Sequence, residues 1–180
     1  GVTIPTLKKG GWFEFDTDKD FVLEASAPVQ VAQYMASSYA TVQWERPSCQ
    51  ADADCKAKYG FDGVCTAVGP GKKVCEPLGD PSLLMNIATS QYLKTTIFLV
   101  PDKYKFNYTT IVAPVGTKVT LDKGALANSA FTAIPSTNYM IARLPIGTGA
   151  HTVDATNPVG VWVYGYDKAV SYGYAAGAKL

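Results

Sequence analysis

Apolar side chains fall at every second position through much of this chain, and the clearest run is Val159 to Tyr166. Val159, Val161, Val163 and Gly165 share one face of an extended segment there, with Gly160, Trp162, Tyr164 and Tyr166 on the other, because strand side chains alternate with period two. A strand apolar on both faces belongs in the middle of a sheet, and the glycines within it mark bulges or close backbone approach. Asp167 and Lys168 supply a polar turn into a second strand, Ala169 to Tyr174, so the stretch reads as a closing hairpin. Trp162, Tyr164, Tyr166, Tyr172 and Tyr174 read first as packing between sheets, since aromatics dominate the buried area of β cores. A platform on which a ligand stacks is the alternative.

The same period predicts strands over Trp12 to Phe15, Phe21 to Ala25, Val29 to Met35 and Tyr39 to Trp44, with Pro28 fixing a corner. Later come Gln91 to Val100, Phe106 to Ala113, Thr117 to Leu121, Phe131 to Ile134, Tyr139 to Leu144 and Ala150 to Val153, punctuated by Gly, Pro and Asp turns such as Asp122-Lys123-Gly124. Ser82 to Ile87 reads as a single helical turn. No fixed internal period favours a propeller or solenoid. The pattern describes an all-β fold: an antiparallel β-sandwich, jelly-roll-like, with residues 1–180 as one domain.

Residues 47–77 break the texture, with all four cysteines, many charges and little aliphatic material. The spacing Cys49-x5-Cys55-x9-Cys65-x9-Cys75 lacks the paired C-x2-C knuckles of a zinc site, and the single histidine, His151, lies far away. Two disulfides are expected, which staple an insert too poor in apolar residues to hold itself together. Four cysteines allow three pairings; the alternating one, Cys49 with Cys65 and Cys55 with Cys75, interlocks the segment most tightly. Each loop of this size stabilises by about 3 kcal/mol in the chain-entropy model. The compartment implied is oxidising: extracellular, cell-surface or periplasmic.

Composition narrows the function further. The 180 residues are 47% hydrophobic, 12% aromatic and only 17% charged, with a formal net charge of +1. That balance offers no basic field for nucleic acid and no polybasic membrane contact. No apolar run approaches the roughly 20 residues that span a bilayer. The segment starts at Gly-Val-Thr-Ile-Pro, so a signal peptide or anchor of an exported protein is expected outside it.

Little here points to catalysis. Asp16, Asp18 and Asp20 have the spacing that opens a calcium loop, but Phe21 and Ala27 stand where an EF-hand needs glycine and glutamate. His151 has no Gly-x-Ser-x-Gly elbow to serve, so it reads as a structural histidine. No catalytic residue, metal or cofactor is expected. Asn107-Tyr108-Thr109 forms a glycosylation sequon that falls inside a predicted strand.

Several stretches in order resemble the N-terminal domain of the IgGFc-binding protein family: Ala-Pro-Val-Gln-Val-Ala-Gln-Tyr at 27–34, Gly-Asp-Pro-Ser at 79–82, Phe-Asn-Tyr-Thr at 106–109, Leu-Asp at 121–122, Gly-Ala-His at 149–151, and Val-Tyr-Gly-Tyr through Ser-Tyr-Gly-Tyr-Ala-Ala-Gly at 163–177. The insert resembles the Asp-Ala-Asp-Cys modules of secreted proteins from predatory and gliding bacteria, which implies a bacterial member. The resemblance implies a secreted recognition or adhesion module within a larger polypeptide, with a protein or glycan on a cell surface as its partner. A carbohydrate-binding module and a hydrolase built around His151 are the alternatives. Within the insert, Lys56, Lys58, Tyr59, Phe61 and Asp62 mix aromatic and charged side chains in the manner of protein-recognition patches, and are the expected contact residues.

Overall fold

The computed structural model describes residues 3–17, 19–35, 46–59 and 63–179. In chain order the elements are β1 (Ala32–Tyr34), α1 (Asp52–Tyr59), β2 (Gly63–Gly69), β3 (Lys72–Pro77), β4 (Leu83–Met85), β5 (Leu93–Val100), β6 (Phe106–Pro114), β7 (Val119–Leu121), β8 (Gly124–Ala125), β9 (Thr132–Ala133), β10 (Tyr139–Pro145), β11 (Gly149–Asp167) and β12 (Val170–Ala175). Short 3-10 turns occupy Thr89–Gln91 and Asn128–Ala130. Every strand pair is antiparallel.

β11 organises the fold. Its first part pairs with β5, from Gly149 opposite Val100 to Asp154 opposite Thr95, and with β7 on its other edge. The register then shifts between Asp154 and Val159. Beyond the shift, Gly160–Tyr166 pair with β6 and Trp162–Asp167 with β12. One strand thus serves two layers, β8-β7-β11-β5 and β12-β11-β6-β10-β9, as at the corners of curled sandwiches where strands change sheet through bulges.

The core lies between the layers. Phe98 and Val100 of β5, Val119 of β7, Ile111 and Ala113 of β6, and Val153, Val159, Val161 and Val163 of β11 form one buried cluster. On the opposite side of β11, Trp162 packs with Leu84 of β4 and Tyr92, whose ring meets the indole edge-on at 6.0 Å. Both faces of Val159–Val163 are covered, as the period-two pattern predicts. Gly160 permits that cover, because a Cβ there would stand 2.5 Å from Tyr92 Cε1. At Asp122 and Lys123 the φ angles are +50° and +67°, a pair of left-handed residues of the type I′ kind that joins β7 to β8.

Two sequence expectations fail. Trp12–Phe15 and Phe21–Ala25 form no strand, and of Val29–Met35 only Ala32–Tyr34 pairs, with β4. Alternation makes a strand only where an open backbone edge lies alongside, and among the described residues none pairs with these segments. Trp12 stays 79% exposed, and the rings of Phe13, Phe15 and Phe21 pack on one another instead. Ser82–Ile87 is not a helical turn either, since Leu83–Met85 form β4 against β1 with Leu84 pointing into the Trp162 cluster. The expected strand Tyr39–Trp44 lies outside the described residues.

Candidate functional site

The insert is a small lobe with its own core. Asp54 Oδ2 accepts the N–H groups of Gln50 at 2.7 Å and Ala51 at 3.0 Å at the start of α1, where a carboxylate also suits the helix dipole. Those hydrogen bonds hold the Asp54 carboxyl below its ordinary range. Asp52 Oδ1 accepts the Cys65 N–H at 2.7 Å and so ties the helix to β2. The bridges Cys49–Cys65 and Cys55–Cys75 close loops of 16 and 20 residues, the alternating arrangement. Cys49, Cys55 and Cys75 are buried against Tyr59, whose hydroxyl donates to the Cys75 carbonyl at 2.9 Å. Gly63 is closely packed: a Cβ would stand 3.1 Å from Cys55 Cβ and 3.2 Å from the Glu76 carbonyl, so a larger residue would press on both.

This arrangement separates the expected contact residues. Lys56 and Lys58 stand exposed in the last turn of α1, with the Lys58 ammonium donating to the Ser48 carbonyl. Tyr59 turns inward onto the disulfides. Phe61 and Asp62 lie outside the described residues.

The lobe meets the sandwich through ion pairs. Asp52 pairs with Lys105 at the start of β6, and Glu76 of β3 lies 2.9 Å from the Lys168 ammonium in the β11–β12 turn, with Arg46 at 3.3 Å. Lys168 first, against a smaller opposing effect of burial, pulls the Glu76 carboxyl below its usual range; Lys105 does the same for Asp52. Next to these contacts, the N–H groups of Gly79 and Lys105 both reach Asp167, and Ser171 donates to the Asp80 carbonyl. Sequence reasoning missed this docking, because its partners stand 53 positions apart in the case of Asp52 and Lys105 and no local pattern marks them.

Aromatic side chains are gathered on both faces of the second layer. Tyr164 stands opposite Tyr108 and Tyr166 opposite Phe106, so four half-buried rings form a square on the outer face. Tyr108 and Tyr164 are stacked at 5.5 Å, and burial pushes the Tyr166 hydroxyl up to about 12. On the inner face Tyr172 donates to Asn107 Oδ1 at 2.8 Å and Tyr174 to the Leu99 carbonyl at 2.6 Å, and burial raises both phenols. Asn107 is buried and also donates to the Tyr104 carbonyl at 3.1 Å, so the folded protein hides the sequon's acceptor amide.

His151 is held on every side. Its Nδ1 lies 2.6 Å from Asp122 Oδ2, its Nε2 2.9 Å from the Gly147 carbonyl, and its ring is stacked on Phe98. Asp122 also accepts the Thr152 N–H at 2.9 Å, and His151 is the main cause of its lowered carboxyl pKa. Through these contacts the ring ties the β7–β8 turn to β11. Of the acidic trio, Asp20 pairs with Arg143 of β10 and Asp18 lies outside the described residues.

No curated protein and no solved structure matches the chain. A family model described as IgGFc binding protein matches residues 2–165, a span that takes in β1 through most of β11 together with the stapled insert. With the match covering well over half of its length, this chain belongs to the IgGFc binding protein family.

Proposed function

We propose that the chain is a non-catalytic recognition and adhesion module of a larger secreted or surface protein, and that it contacts a protein partner through its disulfide-stapled insert. In this reading residues 1–180 form one β-sandwich domain and 47–77 its recognition element. Family membership supports an extracellular protein-binding role, and two disulfides fit an oxidising compartment. The observation that carries the reading is the lobe's construction. It is cross-linked around its own sulfur core, attached at one end by ions, and little of it would need ordering on binding.

Replacing Ser48 to Glu76 with a short Gly-Ser linker tests this. Loss of adhesion to target cells by a folded, monomeric variant is the expected result, and unchanged adhesion discards the reading. Aggregation of the variant would favour a role in covering the sandwich against strand-to-strand association.

A second reading, carbohydrate binding, rests on the square of Phe106, Tyr108, Tyr164 and Tyr166. Binding on a glycan array that disappears in Tyr164→Ala, with the fold intact, would favour it.

A further inference from the structure

The insert's charges are sorted by partner. Among the described residues its carboxylates are Asp52, Asp54 and Glu76, and each is engaged. Asp52 and Glu76 face the sandwich at Lys105 and Lys168, and Asp54 caps the backbone at Gln50 and Ala51. Two of the lysines are placed by neutral groups instead. Lys58 donates to the Ser48 carbonyl and Lys73 to the Gln50 carbonyl at 3.4 Å, and a neutral carbonyl positions an ammonium without cancelling its charge. Asp54 lies close enough to Lys58 to feel it, whereas Lys72 and Lys73 set two adjacent exposed ammonium groups in the β2–β3 hairpin.

The shape of the tip matches that charge. A cleft of about 200 Å³ is lined by Gln50, Ala67, Gly69, Gly71, Lys72 and Lys73. At Gly69 and Gly71 nothing lies within 4 Å of where a Cβ would stand, so backbone is open to approach there, and Gly71 needs its glycine for φ +67°. Val68, 48% exposed, adds an apolar contact beside the ammonium groups. We propose that the β2–β3 hairpin tip, with Lys72 and Lys73 flanking the glycine-walled cleft, binds an acidic, extended segment of a protein partner. The inference rests on the insert being the recognition element and supplies the chemistry of what it recognises. Charge complementarity at an exposed site of this kind steers association and weakens with salt.

The test uses the intact chain and a short fluorescein-labelled peptide alternating Glu and Val, followed by anisotropy at low and at physiological salt. A matched peptide with Lys for Glu and a heparin oligosaccharide run alongside. The expected result is saturable binding of the acidic peptide alone, weaker at physiological salt, and at least about tenfold weaker in the K72E/K73E double variant. Both lysines are exposed, so that variant keeps its fold, which an unchanged melting temperature and intact disulfides by mass verify. Equal affinity of the double variant overturns the proposal, as does binding of heparin without the peptide. Adhesion separates this from the broader reading: if the linker variant loses adhesion while K72E/K73E keeps it, the tip is the wrong site and the insert reading stands.

Discussion

Gly165 is the most informative position to perturb. It sits in the middle strand of the second layer, opposite Asn107 of β6 and Tyr172 of β12. A methyl group there would stand 2.5 Å from Asn107 Oδ1, 2.5 Å from Tyr172 Cε1 and 2.8 Å from the Phe106 carbonyl oxygen. The tyrosine ring can swing, but the carbonyl belongs to β6 and moves only if the strand moves. Overpacking of this kind costs about 1–3 kcal/mol. Displacing the Tyr172 hydroxyl from Asn107 leaves a buried amide oxygen short of a donor, about 1–3 kcal/mol more. The lower backbone entropy of alanine in the unfolded chain offsets about 0.5–1 kcal/mol. Gly165→Ala is therefore expected to destabilise by roughly 1–5 kcal/mol, a fall of roughly 2–20 °C in melting temperature for a chain of this size. Thermal and urea unfolding followed by far-UV circular dichroism read this directly. Gly147→Ala is the control: nothing lies within 4 Å of its Cβ position, and its cost should stay within about 0.5 kcal/mol. If Gly165→Ala matched the control, the close approach of β6, β11 and β12 would be wrong.

Three further outcomes are expected. Reduction should add two hydrogens per bridge to the intact mass, and native protein should leave a maleimide unreacted; labelling of any cysteine would contradict the pairing. Trp162→Ala should cost about 3–5 kcal/mol in urea unfolding, because the indole is buried between Leu84 and Tyr92, and a wild-type midpoint would show the ring to be dispensable. Folded Asp122 releases its proton more readily than an ordinary carboxyl, so its contribution is fully present above the unfolded value near 4 and is lost as pH falls through the lower folded value. Asp122→Asn should remove that part of the acid limb as pH falls below the unfolded value near 4, and a limb identical to wild type would refute it.

How far the sequence could be read depended on whether a residue's surroundings were local. Val159–Tyr166 was legible because a strand covered on both faces carries its environment in its own alternation. The insert was legible from cysteine density alone, since nothing apolar could otherwise hold it. The segment from Trp12 to Val29 misled, because its alternation matches a strand while its pairing depends on an edge elsewhere in the chain. Nor could Ser82–Ile87 be read from six residues, where Leu84 obeys a tryptophan far along the sequence. Tyr59 shows the same limit: its packing on the disulfides and its bond to the Cys75 carbonyl depend on partners that the lysines beside it in sequence do not reveal.

The length and late position of β11 also set a timetable. Strands β5, β6 and β7 all take β11 as a partner, and every one of them is made before Gly149. While the chain is being synthesised, these strands wait with open edges. Neither layer can close first and template the other, since both need the same strand. Closure is expected to be a single late event of high contact order, on the slow side of the millisecond-to-second range for β folds. A chain cut short before Gly149 would keep only local pairs such as β6–β10 and β7–β8, with nothing to join them. The stapled lobe, whose cysteines all lie between positions 49 and 75, can oxidise well before that moment and is the first part able to reach its final form.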